Sequence, residues 1–425
     1  MARSGLVRTA AAAAVVAVMV AGGAVDASAA GREGARGAQG AQGAVAPDSA
    51  GVRAALQRTL DAGAPGAFAV IKDHRNPGAD QTLSLGKADL KTGTPMNAGW
   101  RFRVGSNTKM FTSVLVMRLA EQHRIDLDRP MRDYLPAGTL PSDWAMTVRQ
   151  VMEHRAGVYD HTNDLLEQPG EETTQVYEQR IRNNVYDPKA LVAMSVKHGI
   201  QYPPGTAYAY SNTDFTLLGM AVEHLTGRPY ADVLREQVIE PLKLRRTSYV
   251  VPDKRIAGPH VTGYLTNDDR SKPLLDSTEQ TGSWVGTAGA VISSAADLDR
   301  FLTALVAGSA GGLVSDDSLR QMTTAIPTPT AKISYGLGVR EIALSCGKVY
   351  GHGGIVQGFQ TQSFATKDGK RTVVAFANAS NNGAVTQGLM GTLEPAFCGK
   401  QPATSFTAGG GGTRGTVPAV EDSRI

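Results

Sequence analysis

Three observations predict an α+β fold for this chain, with one antiparallel β-sheet flanked by helices and broken by an all-helical insertion. Strand-like patterns occupy both ends of the body, a segment apolar on nearly every face follows Ser106, and helical stretches fill the middle, at about 128–280. Strands at both ends with helices between them pair most simply into one sheet built from both termini.

The elements follow in order. From Gly66 to Thr94 the pattern is strand-like, AFAVIK, then TLSLG, then ADLKTG, with Asn76-Pro77-Gly78 as a turn. The stretch MFTSVLVMRLAEQ is apolar all round, which marks a buried helix. Helical stretches TVRQVMEH, DFTLLGMAVEHLTG and YADVLREQVIEPL then alternate with long polar loops. Ser294 and Asp297 stand at capping-box spacing before AADLDRFLTALVAG. Strands return in YGLGVREIA, KVYGH and GFQTQSFATK, and Lys367-Asp368-Gly369-Lys370 turns the chain into RTVVAFANAS. A final helix, VTQGLMGTLEPAFCG, carries Cys398.

The body runs over residues 51–400, within a chain of 425. Its composition, 42% hydrophobic and 19% charged, is that of a globular protein. A net charge of +4 over this length gives no case for a nucleic-acid partner. Residues 1–29 read as a secretory signal peptide: Arg3 and Arg8, an apolar run from Ala10, then Ala27-Ser28-Ala29 as the cleavage site. Residues 30–50 read as a flexible Gly/Ala/Gln linker and 401–425 as a disordered tail. A secreted, extracellular protein without a stable membrane anchor is expected, since no apolar run of spanning length follows residue 30. Oxidising surroundings then favour a Cys346–Cys398 disulfide. Two cysteines and unclustered histidines suggest no metal site and no cofactor, and a monomer is expected.

Three motifs carry chemistry. Ser106-Asn107-Thr108-Lys109 is an S-x-x-K at the start of the buried helix, where residues three apart share a face. A serine there also sits among free backbone N–H groups able to bind an oxyanion. Ser84–Lys87 matches the same spacing and Lys91-Thr92-Gly93 mimics a partner motif, but both lie among turns and strands with no helix after them. Tyr210-Ser211-Asn212 places Tyr210 and Asn212 on one side of an extended segment. There Tyr210, its phenolate favoured by the cation Lys109, takes the Ser106 proton, and Asn212 binds a substrate carbonyl. His352-Gly353-Gly354 is a strand with few side chains, which lets a substrate backbone approach closely. Here His352 polarises the Tyr210/Lys109 pair, Gly354 lies along the substrate, and the Ile355 N–H completes the oxyanion site.

In this order the three motifs resemble the penicillin-recognising serine hydrolases of the class C β-lactamase and D-alanyl-D-alanine carboxypeptidase type. The resemblance covers roughly residues 50–400, through TVRQVMEHRAGVYDHTND, PPGTAYAYSNTDF, HVTGYLTNDD, DSTEQTGSWVGTAGAVISSAADLD, YGLGV and LSCGKVYGHGG. It implies a β-lactamase/transpeptidase-like fold and an acyl-enzyme on Ser106. Lys109, Tyr210 and His352 would carry proton transfer and electrostatics, and Asn212 would hold the acyl-side amide. Trp284 and Thr162 would line the pocket, and Arg340 would clamp a free substrate carboxylate. The implied partners are peptidoglycan peptides ending in D-Ala-D-Ala, and β-lactams.

The family's peptidase pattern has His-Thr-Gly-Thr where this chain has His352-Gly353-Gly354-Ile355. Two hydroxyls beside the substrate carboxylate are thus missing, and D-amino-acid amidases and peptidases of the family also use His-Gly-Gly. The leading reading is an extracellular serine DD-carboxypeptidase. A class C-like β-lactamase or D-amino-acid amidase/esterase is the alternative within the enzyme class. A silent penicillin- or peptidoglycan-binding module is the reading outside it, opposed by the intact Ser106, Lys109, Tyr210 and His352.

Overall fold

The computed structural model of the protein describes residues 45–400; the signal segment 1–29, most of the linker and the tail 401–425 lie outside the described residues. Eight antiparallel strands form the main sheet. They are β1 (Gly66–Asp73), β2 (Gln81–Gly86), β3 (Ile326–Pro327), β4 (Ile333–Tyr335), β5 (Arg340–Leu344), β6 (Gly347–Val356), β7 (Phe359–Thr366) and β8 (Arg371–Ala377). Their order across the sheet is β2-β1-β8-β7-β6-β5-β4-β3, so the first strand pairs with the last, Phe68 opposite Phe376. The sheet is therefore closed by both ends of the chain.

Both faces of the central strands are buried, and alternate residues serve different layers. Ala67, Ala69 and Ile71 pack with Val52 and Leu56 of α1 (Ser49–Asp61). Phe68 and Val70 face the other way, toward α2 (Thr108–Glu121), in a layer whose aromatic rings Phe68, Phe102 and Phe376 lie 4.4–5.7 Å apart. Helix α2 is buried from Thr108 to Met117, as its lack of a polar face requires. Helix α3 (Asn212–Thr226) packs against it, and Phe301 of α4 (Ala295–Val306) stacks on Phe111 with centroids 3.8 Å apart. Among the described residues no helix is long and apolar enough to cross a membrane.

Four expectations change. Helix α1 begins at Ser49, behind Asp48, inside the stretch read as linker, because Val52, Ala55 and Leu56 give it a face to bury. Residues 88–90, read as strand-like, lead instead into the turn at Lys91-Thr92-Gly93, where the Asp89 carboxylate accepts from the backbone N–H groups of Lys91 and Thr92. The insertion is not all helical: Tyr264–Leu265 pairs with Leu275–Asp276 on one side and with Ala379–Ser380 on the other, in a stretch rich in Pro, Gly and Asp that sustains no helix. The last helix is two, α5 (Gly383–Met390) and α6 (Leu393–Cys398), parted at Gly391. That break brings Cys398 to Cys346, with Cα atoms 5.4 Å apart and the disulfide formed.

Strand β6 outruns its neighbour. Its last partner on β5 is Arg340, opposite Gly351, so residues 352–356 present a free edge on that side. The turn before α2 packs against β6 there.

Candidate active site

The turn is Gly105–Asn107, one 3₁₀ turn feeding directly into α2. It is tied down from several directions: Val104 N–H donates to the Val291 carbonyl (3.0 Å), Thr108 Oγ1 to the Gly105 carbonyl (2.8 Å), and Asn107 Nδ2 to the Val104 carbonyl (2.9 Å). Ser363 of β7 donates to Asn107 Oδ1. Two glycines let the turn and β6 meet. Gly105 has φ +55°, and a Cβ there would lie 2.7 Å from Ile355 N. A Cβ on Gly354 would lie 2.0 Å from the Val104 carbonyl and 3.0 Å from Ser106 N. The backbone nitrogens of Ser106 and Ile355 thus belong to one tight crossing.

At this crossing Lys109 Nζ donates to Ser106 Oγ (3.1 Å), Asn212 Oδ1 (2.8 Å) and the Ala288 carbonyl (3.1 Å). Three acceptors match the three N–H bonds of an ammonium. Lys109 is fully buried, and its Nζ also sits 4.5 Å from the centroid of the Tyr210 ring. The Arg340 guanidinium carbon lies 5.5 Å from the same ring. Tyr210 therefore has two cations close to its ring. Its segment is extended up to Ser211, the N-cap, and Asn212 opens α3.

Asn212 does more inside the protein than a substrate-binding amide would. Its Oδ1 accepts a hydrogen bond from Lys109 Nζ, while its Nδ2 donates to Asp160 Oδ2 (3.0 Å) and toward Thr162 Oγ1 (3.4 Å). Asp160 Oδ2 also accepts the Asn212 backbone N–H (3.0 Å). Asn212 is hence a clamp on Lys109, and its amide hydrogens are engaged away from any substrate carbonyl. Thr162, expected in the pocket wall, stands behind this clamp, 2% exposed and donating to Asp160 Oδ1 (2.8 Å). Trp284, also expected there, is 0% exposed: its indole donates to Gln280 Oε1 (3.4 Å) and its carbonyl bonds His161 Nε2 (2.8 Å). Both side chains are turned inward: Thr162 backs the Asn212–Asp160 contacts, and Trp284 meets His161 and Gln280.

His352 is corrected in the same sense. The ring is fully buried, Tyr335 Oη donates to Nε2 (2.9 Å), and Nδ1 donates to the Gly353 carbonyl. Burial first, then the nearby Arg340 and Lys109 charges, hold this imidazole well below its usual titration range. It is neutral and braces Tyr335, so the positive charge at the site comes from Lys109 and Arg340.

Sequence reasoning missed Asp160, Tyr335, His154 and the Ala288 carbonyl. Asp160 and His154 lie in a stretch that carried the resemblance, TVRQVMEHRAGVYDHTND, but nothing in its spacing points at Lys109 or Tyr210. Tyr335 opens YGLGV, another such stretch, but nothing in that stretch points at His352. The decoys stay apart: Ser84 lies on β2, at the sheet's far edge, and Lys87 is exposed.

A serine and a buried lysine at one helix start, with an ordered Asn and a Tyr opposite, define a serine hydrolase of the β-lactamase fold. The chain belongs to the β-lactamase family, whose model matches residues 10–390. It is 33% identical to the D-stereospecific amidohydrolase of a Streptomyces species, with a TM-score of 0.73 over 84% of this chain and 100% of that structure. It is 30% identical over 356 residues to the D-aminopeptidase of Cereibacter sphaeroides (strain ATCC 17029 / ATH 2.4.9), covering 80% of this chain and 63% of that relative. The chain therefore spans less than two thirds of the aminopeptidase's length. Penicillin-binding protein 4 of Amycolatopsis lactamdurans is 27% identical over 250 residues, 55% of this chain and 60% of its own.

Proposed function

We propose that this chain is a D-stereospecific serine amidohydrolase, acting on amides and short peptides with a D residue on the acyl side. The observation that carries the reading is the Lys109 ammonium, held by Asn212 Oδ1 and the Ala288 carbonyl and donating to Ser106 Oγ. An ammonium with all three hydrogens engaged is no base, so the Ser106 proton passes to Tyr210, whose ring Lys109 and Arg340 flank. The Ser106 oxygen attacks the amide carbon, and the backbone N–H groups of Ser106 and Ile355 take the oxyanion. Tyr210 returns the proton to the leaving amine, and water then releases the D-acid from the ester.

The relatives named for D-amino-acid substrates, with Gly353 and Ile355 in place of the two threonines of the peptidase pattern, favour an amidase or aminopeptidase over the DD-carboxypeptidase first expected. The DD-carboxypeptidase is the second reading, favoured by Arg340 beside Tyr210, where it could meet a terminal carboxylate. β-Lactams are proposed as acylating ligands on the likeness to a penicillin-binding protein. Action outside the cell is proposed on the signal pattern of residues 1–29 and the Cys346–Cys398 bridge. Ammonia release from D-phenylalanine amide and L-phenylalanine amide, beside D-alanine release from a peptide ending in D-Ala-D-Ala, tests the substrate class. D-amide turnover with neither L-amide nor D-Ala release is the expected result. Faster D-Ala release than D-amide hydrolysis overturns the amidase reading.

A further inference from the structure

Beneath Tyr210 lies a second ionisable pair that the acylation chemistry leaves unused. His154 and Asp214 have side chains 0% and 1% exposed, with Nδ1 and Oδ2 2.9 Å apart. The imidazole centroid is 4.3 Å from that of Tyr210, 4.8 Å from Tyr335 and 5.3 Å from Phe215. His154 also brackets Tyr210 along the backbone. Its carbonyl accepts the Ala209 N–H (3.0 Å), and its Nδ1 accepts the Ser211 N–H (3.3 Å). Tyr202 Oη reaches the same carbonyl (3.3 Å). His154 does this at φ +57°, a left-handed conformation that a non-glycine residue seldom adopts.

We propose that His154, held by Asp214, is a positioning residue for Tyr210, and that the pair works as an uncharged unit. The inference rests on the acyl-transfer reading of Tyr210. Its charge state follows from burial and contact: an unprotonated Nδ1 takes the Asp214 hydroxyl at 2.9 Å and, more weakly, the Ser211 N–H at 3.3 Å, whereas a charged partner would lie desolvated. Burial, then Lys109 and Arg340, holds His154 well below its usual range, and burial, then Asp160, holds Asp214 well above its own. The titratable groups facing the pair are Lys109, Arg340, Asp160, His352, Tyr202, Tyr208, Tyr210 and Tyr335. An ionised Asp214 would set a negative charge against the two cations that flank the Tyr210 ring. A protonated one leaves their field intact.

The test compares His154→Phe, Asp214→Asn and Asp214→Ala by pH–rate profile, on D-phenylalanine p-nitroanilide and on p-nitrophenyl acetate. His154→Phe keeps a ring beneath Tyr210 and loses the Ser211 acceptor. It should lower kcat by about thirtyfold or more with KM within about threefold, and shift the pH limb of acylation by about half a unit. Asp214→Asn still offers an N–H to Nδ1 and should keep the wild-type profile within about threefold in rate, whereas Asp214→Ala should follow His154→Phe. An unshifted profile in His154→Phe overturns the proposal. So does Asn at 214 failing as badly as Ala, which would mean an ion pair. If His154→Phe does not fold, the two Asp214 variants still decide. If the wild type cleaves no D-anilide, the substrate reading falls, and the ester profiles still test the pair.

Discussion

Gly354→Ala puts a single methyl group where the turn and β6 cross. The new Cβ would sit 2.0 Å from the Val104 carbonyl, 2.7 Å from Asn107 Nδ2 and 3.0 Å from Ser106 N. Two of these atoms are backbone and the third is bonded to the Val104 carbonyl, so no flexible end can swing aside. The crossing must open by about 1 Å, a displacement that costs on the order of 100-fold in rate when it falls on reacting groups. Overpacking of this kind costs about 1–3 kcal/mol in stability, only a few degrees of Tm for a domain of this size. The two effects are thus unequal, and the assay should separate them. Gly383→Ala is the control, since a Cβ there meets nothing within 4 Å at the start of α5. It should raise stability by about 0.4–1 kcal/mol and leave turnover alone. The measurements are Tm by scanning calorimetry and kcat/KM on a D-amino-acid anilide. Gly354→Ala at full activity with a lowered Tm would refute the reasoning, because the Ser106 and Ile355 nitrogens would then not need their present spacing.

Other expectations follow from the same geometry. Arg340→Ala should reduce activity on a peptide acid ending in D-Ala-D-Ala about thirtyfold more than on the matching amide if Arg340, 8% exposed, binds a carboxylate; equal losses would assign it to the Tyr210 environment alone. Asp73 is buried, which raises its carboxyl, but hydrogen bonds from Arg75 and Arg371 outweigh burial and hold it well below the usual range. Its stabilisation is therefore present above about pH 4, the unfolded value, and is lost as pH falls toward the folded one. Tm should drop as pH falls below about 4 for the wild type and less for Asp73→Asn; identical slopes would contradict this. Arg371→Ala leaves that carboxylate buried and frees the Phe397 carbonyl (3.0 Å), and should cost about 3–5 kcal/mol in urea unfolding. Cleaving Cys346–Cys398, 52 residues apart, should cost about 4 kcal/mol in the chain-entropy model, read as a lower Tm in reductant; an unchanged Tm would mean the loop is already ordered when unfolded.

What was readable in the sequence was whatever one local pattern carries. Helix α2 announced itself because it is apolar on every side, and Ser106 and Lys109 because a helix fixes residues three apart on one face. The cysteine pair needed only its compartment. The misreadings share a cause: burial and direction depend on partners distant in the chain. Trp284 and Thr162 lie in the right segments, yet His161, Gln280 and Asp160 turn them inward. His352 looked placed to polarise Tyr210 and Lys109 until the Tyr335 hydroxyl, 17 residues away, was seen to fill its Nε2. Asn212 looked free to meet substrate until Asp160, 52 residues earlier, was found holding its amide. The break at Gly391 differs, for it had a local signal, Gly391 followed by Pro395, that was passed over in reading one helix.

Rapid-quench mass spectrometry with peptide mapping, on enzyme mixed separately with D- and L-phenylalanine p-nitroanilide, tests the central claim most directly. A D-phenylalanyl ester on the peptide containing Ser106, formed from the D substrate and absent with the L, is the predicted result. Turnover without an adduct, an adduct at Ser84, or equal acylation by both enantiomers would contradict it.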